Sequence, residues 1–353
     1  MYWSVDQTGP TMSRAGVFSG DDAVLAAGTP LKRSSSRPPA QPPLVKVRRV
    51  VAHQEPARVA LVLHPTRAIA APLESLERWA KTNGLDIVQI ALAGGSEREV
   101  ARRGELQPGD LVVALGGDGT VLSALRAAAP HNAPVLGVAC GSLGALTSVR
   151  GDRLDDALRR VHAGDWTPRR LPALAIHPAG ARDEWALNDF VVVRRGAGQV
   201  VVHVSVDDEL YVRLAGDGLI VASPLGSSAY SMAAGGPLLA AGTLALVCTP
   251  LAMHGGSAPP LVVPATANVR VEVHPSFAGF DIEIDGHAYP LEVLDYRLSL
   301  REEKVTLVSF GELGLGIEGL RELRLITDSP RILARDDRAL RAPPRGRTSS
   351  PPR

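Results

Sequence analysis

Leu111-Val112-Val113-Ala114-Leu115-Gly116-Gly117-Asp118-Gly119-Thr120 is the stretch that decides the fold class. An apolar run with no polar break reads as a strand buried on both faces, as strands of a parallel sheet are. The glycines that follow admit backbone angles closed to other residues and let N–H groups approach a phosphate. Apolar periodicity over 121–128 predicts a helix, whose N-terminus favours anions. Ligands of open α/β sheets bind at the carboxyl ends of the strands. Gly116, Gly117 and Thr120 are therefore the candidate phosphate loop, with Thr120 placed to cap the helix. Phosphate binding does not explain Asp118, because two anions repel. Its carboxylate suits another part of phosphoryl transfer: accepting the proton of an attacking hydroxyl, helping a metal neutralise phosphates, or both. No GxxxxGK[ST] occurs, so the loop is not that of a P-loop NTPase.

Working outward, apolar runs at 59–63, 86–92 and 135–138 predict strands, and periodic stretches at 73–81 and 154–162 predict helices. Strands alternating with helices indicate a parallel α/β domain, 56–165. After Trp166 the helices nearly vanish. Strands are expected at 171–177, 184–193, 200–207, 209–214, 219–222, 243–248, 269–274, 281–284 and 298–308. Several alternate at period two, as Val202-His203-Val204-Ser205-Val206 does. The fold class is thus α/β plus all-β, the second domain (166–305) being sandwich-like.

Composition narrows the class of function. Of 353 residues 45% are apolar and 21% charged, enough for a sizeable core, and the net charge of +1 argues against a dedicated nucleic-acid or membrane-surface binder. Cys140 and Cys248 stand far apart without metal-ligand spacing, which predicts buried, reduced thiols in a reducing compartment. No apolar run reaches the roughly 18 residues needed to span a bilayer, and Pro10, Asp21 and Asp22 interrupt any signal-like stretch. A soluble cytoplasmic protein is expected. Residues 1–55 are rich in Ser, Pro, Gly, Ala and Arg and predict a disordered extension; 336–353 predict a disordered tail.

Two further stretches carry polar groups of the kind a ligand needs. Leu187-Asn188-Asp189-Phe190 sets an amide and a carboxylate at the head of a β-branched run. An ionised Asp accepts hydrogen bonds, as from ribose hydroxyls, although Asn-Asp is also a common turn. From Gly216 to Pro237 the chain is dense in Gly, Ser and Ala, which suggests a ligand-lining loop.

Taken together, GGDGT, an Asn-acidic pair and DGLIxxxPxGSxAYSxxAGGP, in this order, resemble the NAD kinase family. Gly141-Ser142-Leu143-Gly144, His254, Pro260-Leu261-Val262-Val263-Pro264 and Ile284-Asp285-Gly286 are similar to its other landmarks. The resemblance spans roughly residues 57–310. It implies transfer of the terminal phosphoryl group of ATP to the 2′-hydroxyl on the adenosine ribose of NAD, with magnesium or another divalent cation. Asp118 would be the base, with Gly119 beside the dinucleotide. Asn188, Asp189, Asp217, Ser228, Ala229, Tyr230, Ser231 and Ala233 would contact substrate. A segment at 306–335 would return to the first domain, and the assembly would be a homodimer or homotetramer. Asp189 stands for the usual Glu, Leu225 for a Thr or Ser, Ala139 for an Asn, and Ala258-Pro259-Pro260 for an Arg-Pro pair. Competing readings are a non-catalytic dinucleotide-binding paralogue, or a lipid kinase, which shares GGDGT but would lack the long small-residue block.

Overall fold

The computed structural model describes residues 55–91, 98–240, 242–274, 279–290, 293–311, 320–321 and 325–334. The predicted tails, apart from Glu55, and much of the expected returning segment lie outside these residues.

Strands β1 (Arg58–Leu63), β2 (Ile87–Ile90), β3 (Arg103–Gly104), β4 (Asp110–Gly116), β5 (Val135–Ala139) and β6 (Val149–Arg150) pair in parallel, in the order β3-β2-β1-β4-β5-β6. Side chains alternate across a strand, and both faces of this sheet are covered. Val59, Leu61, Leu111, Val113 and Leu115 pack with Leu76 and Trp79 of helix α1 (Ala70–Thr82) and Leu154 and Leu158 of α3 (Leu154–His162). Ala60, Val62, Val112 and Ala114 meet Val121, Leu122 and Leu125 of α2 (Asp118–Ala128) on the other face. That double burial is why β1 and β4 read as unbroken apolar runs.

The second half is nearly all strand: β7 (Thr167–Pro178), β8 (Glu184–Ala186), β9 (Asp189–Arg194), β10 (Val200–Val206), β11 (Glu209–Gly216) and β12 (Gly218–Ala222). A short helix α4 (Tyr230–Ala233) follows, then β13 (Ala245–Leu251), β14 (Leu261–Pro264), β15 (Val269–His274), β16 (Phe280–Ile284), β17 (His287–Tyr289) and β18 (Asp295–Ser309). One sheet runs β14-β13-β12-β9-β16-β17 with every pairing antiparallel. It faces β10, β11, β15, β18 and β7 across a core that includes Phe190, Leu219, Leu246 and Ile282 from one side and Leu174, Val202, Val271 and Leu298 from the other. This is the sandwich the alternation predicts. β18 belongs to both halves: it pairs with β15 and β7 antiparallel and, at Leu307, with β5 in parallel. Beyond it, Leu320 is buried in the core under α2, with Leu325 and Ile326 against it.

Two expectations change. The run 184–193 is not one strand: β8 pairs with β7, while β9 pairs with β12 and β16 in the other sheet. The chain changes sheets at Leu187-Asn188, where backbone N–H groups turn to a side chain instead of a ladder. Helix α2 starts at Asp118, three residues before its apolar periodicity, because Gly117 takes the N-cap position in an extended conformation.

Candidate active site

The glycine-rich loop joins β4 to α2 at the carboxyl end of the sheet. Thr120 is therefore not the cap. It lies inside the first turn, with its side chain folded over Gly116. Asp118 occupies the first helical position, and its carboxylate reaches across to the segment after β5. Oδ2 accepts from the Ala145 N–H at 2.8 Å and Oδ1 from the Leu146 N–H at 2.9 Å. The approach is so close that any side chain at Gly144 would overlap the carboxylate. Asp118 thus ties the loop after β5 to the start of α2, and Gly119 beside it is exposed.

In its last turn α2 carries Arg126. Its Nη1 donates to the Trp185 carbonyl and to Asp285 Oδ2, each at 2.8 Å, and the guanidinium lies 4.9 Å from the Trp185 ring centroid. Asp285 heads a two-residue hairpin with Gly286, both in the left-handed region, φ 52° and 75°. Asp-Gly suits that turn, since its twist matches the flanking strands. The Asp285 carboxylate is fully buried and also accepts from the N–H groups of Leu187 at 3.0 Å, Asn188 at 2.7 Å and Asp189 at 3.3 Å. One carboxylate therefore binds the helix of the glycine-rich loop to the Asn-Asp pair.

The stretch after β12 closes against the same place. Ser223 N–H donates to the Asn188 carbonyl at 2.8 Å, the Ser223 hydroxyl donates to the Leu187 carbonyl, and a side chain at Gly226 would overlap the Asn188 carbonyl. Leu225 is buried in one core with Val121, Leu122, Leu146 and Leu187, so an apolar residue anchors the turn at this point. Past it, Ser228 and Ala229 are half-buried, and Tyr230 and Ala233 are exposed. Ser231 points inward instead, its hydroxyl 2.8 Å from that of Thr249.

Asp118, Asn188, Asp189 and the residues 223–233 thus belong to one bonded frame. Asp217 does not. In the antiparallel register Ala222 faces Asp189 while Gly218 faces Val193, so Asp217 lies at the opposite end of β12, roughly 15 Å or more away at about 3.3 Å per residue. There it pairs with Arg194 at 2.5 Å. Neither Arg126 nor Asp285 was given a role in the site from the sequence. Ile284-Asp285-Gly286 offered a turn signal and a family landmark, and nothing marked Arg126.

Asp189 differs from the expected ionised acceptor. It is only 4% exposed, and its carboxyl is pushed up to about 7, chiefly by burial and then by the neighbouring charges of Asp285 and Glu283. Near neutral pH the group is divided between a carboxylate and a protonated form that can donate as well as accept. Stability follows from this. In the unfolded chain the group loses its proton near 3.8, in the folded chain near 7, so stability falls as pH rises through that window. Asp189→Asn, which cannot ionise, should melt close to wild type at pH 4 and above it at pH 8, by roughly 2–4 kcal/mol at most. Thermal melts at both values check this, and parallel pH profiles for the two proteins would refute it.

Among the described residues no three His, Cys, Asp or Glu side chains gather as metal ligands. A magnesium ion needs no such cage, since one or two carboxylates and the phosphates of a substrate carry it. Asp118 is the carboxylate at the glycine-rich loop that fits this use.

Comparison with known proteins agrees with the geometry. Residues 71–166 match the family model for the ATP-NAD kinase N-terminal domain and 187–298 that for the ATP-NAD kinase C-terminal domain. An NAD kinase of Heliobacterium modesticaldum is 39% identical over 217 residues, 60% of this chain and 77% of that protein. One from Syntrophotalea carbinolica is 31% identical over 265 residues, 72% and 83% of the two chains. Among solved structures, yeast NADH kinase complexed with NADH superposes with a TM-score of 0.64 at 20% identity, over 78% of this chain and 89% of that one. An NAD kinase from Archaeoglobus fulgidus in complex with ATP gives 0.59 at 22% identity, over 76% and 100%. At such identities the superpositions speak to the fold.

Proposed function

The chain belongs to the NAD kinase family and is a phosphotransferase acting on NAD, and on that premise we propose how its residues divide the work. The 2′-oxygen of the adenosine ribose attacks the terminal phosphorus of ATP, the bond to the bridging oxygen breaks, ADP leaves, and Asp118 receives the hydroxyl proton. The observation that carries this is the position of Asp118. Its carboxylate stands at the first turn of α2, directly after the glycine-rich loop, and is held by two backbone N–H groups. Fixed orientation of the base is what makes proton transfer efficient. Asn188, Asp189, Gly119, Ser228, Ala229, Tyr230 and Ala233 form the dinucleotide side of the site, supported by the frame of Asp285 and Ser223. Ser231 positions that turn from within, and Asp217 would meet a dinucleotide only at a distance from the others. The NADH and ATP in the two neighbouring structures are the ligand classes this reading requires.

A divalent cation, when bound, neutralises the phosphates, and Asp118 is the protein oxygen that would share it. Cytoplasmic location and a homodimer or homotetramer complete the proposal. The free thiols Cys140 and Cys248 suit a reducing compartment, and no helix among the described residues is long and apolar enough to cross a membrane. Light scattering of the purified chain tests the assembly. The function is tested by incubating it with NAD, ATP and Mg²⁺ and detecting NADP, which should form only when all are present. Binding of NAD without NADP formation would favour the non-catalytic paralogue, and phosphorylation of a sphingoid base in place of NAD would favour the lipid kinase.

A further inference from the structure

A phosphoryl donor and its acceptor make opposite electrostatic demands: the phosphates want cations, and the hydroxyl wants a base. The surroundings of the glycine-rich loop are divided in the same way. On one side the Asp118 carboxylate lies against Gly144. Elsewhere along the loop the guanidinium of Arg67 lies over two glycines: a Cβ at Gly117 would come 2.9 Å from its Nη1, and one at Gly141 would come 3.1 Å from it. Arg67 occupies the room these glycines leave open.

Arg67 stands in the turn between β1 and α1, at the same carboxyl edge of the sheet as the loop. That turn is braced. His64 Nδ1 accepts the N–H groups of Thr66 at 3.1 Å and Arg67 at 3.2 Å, and the Arg67 carbonyl accepts from Arg98 Nη1 at 2.9 Å. His64 must be unprotonated at Nδ1 to accept these bonds. Burial, then the charges of Arg67 and Arg98, hold its pKa below the usual value. Among the described residues the side chain makes one bond, 3.4 Å from Nη1 to the Cys140 carbonyl. No carboxylate pairs with it among the described residues, whereas Arg126, Arg194, Arg195 and Arg270 all have one. A guanidinium carries five N–H donors in a planar fork that matches phosphate geometry. Here a cation stands beside a phosphate loop with most of its donors unspent among the described residues.

We infer that Arg67 binds the phosphate chain of the nucleotide donor over Gly117, apart from the carboxylate of Asp118. The inference deepens the kinase reading and rests on it for the identity of the donor. It explains why a loop that carries a catalytic anion can still take up a polyanion, since a cation stands against the same glycines.

The test uses the full chain and two variants, Arg67→Gln, which keeps a donor for the Cys140 carbonyl, and Arg67→Lys, which keeps the charge. In steady-state assays Arg67→Gln should raise KM for ATP about tenfold or more, the worth of a charge-assisted bond, and leave KM for NAD within about twofold. Arg67→Lys should recover part of the loss, because an ammonium replaces the charge but not the fork. Calorimetric titration without NAD gives a second reading: Arg67→Gln should weaken ATP by a similar factor and leave adenosine unaffected. Equal rises in both KM values, equal losses for ATP and adenosine, or no advantage of Lys over Gln would reduce Arg67 to a prop for the loop. If the wild type forms no NADP, the kinase reading fails, yet the titration of ATP against adenosine still decides the role of Arg67.

Discussion

Asp118→Asn is expected to lower turnover about 10²–10⁴-fold, the usual worth of a general base, while NAD still binds. The substitution preserves shape and removes the proton acceptor. It also disturbs the tether. Both carboxylate oxygens take a backbone N–H, from Ala145 and Leu146, and an amide turns its NH₂ toward one of them. Two donors then face each other, at a cost of about 1–3 kcal/mol. The variant should therefore melt below wild type as well as turn over slowly. The rate of NADP formation, NAD binding by calorimetry and thermal melting together separate chemistry from scaffold. Turnover near wild type would leave Asp118 as the tether alone.

The largest loss of stability is expected from Asp285→Ala, about 3–5 kcal/mol, as for removing one partner of a buried ion pair. The Arg126 guanidinium loses its counter-ion, and the N–H groups of Leu187, Asn188 and Asp189 lose their acceptor. At about 2–4 °C per kcal/mol the melting temperature should fall by about 6–20 °C. Position 285 has φ 52°, which Asn tolerates far better than Ala. Asp285→Asn should accordingly retain more stability, having both the backbone conformation and one acceptor oxygen. Since Asn188 and Asp189 hang on this carboxylate, KM for NAD should rise in both variants. A melting point for Asp285→Ala within a degree or two of wild type would refute the account.

Much of the architecture was legible because it depends on short-range pattern. The unbroken run of β4 announced burial on both faces, and the alternation at 202–206 put Val202 and Val204 into the sandwich core. The failures have long-range causes. Residues 184–193 read as one strand because the carboxylate that breaks it belongs to Asp285, almost a hundred positions later. The start of α2 was misplaced because two glycines and an aspartate hide a helical turn that only the backbone shows. Asp217 comes from the resemblance alone, and its separation from Asp189 by the length of β12 is a matter of register that residue types do not show. Asp189 looked ionised because burial and the charges of Asp285 and Glu283 are not written in an Asn-Asp dipeptide.

β18 carries a mechanical consequence. Its fifteen residues extend roughly 50 Å at about 3.3 Å each, and β7 runs antiparallel to it from Tyr296 to Ser309, with a single irregularity. At one end this rail holds β15 of the sandwich, and at the other β5 of the sheet that carries the glycine-rich loop. A hinge needs a few torsions free to swing, and between these two ends the β18–β7 ladder keeps its register except for one shift, between Arg301 and Val305. Any closing of the two halves on a substrate would be taken up at that shift, since the paired stretches on either side of it keep their register.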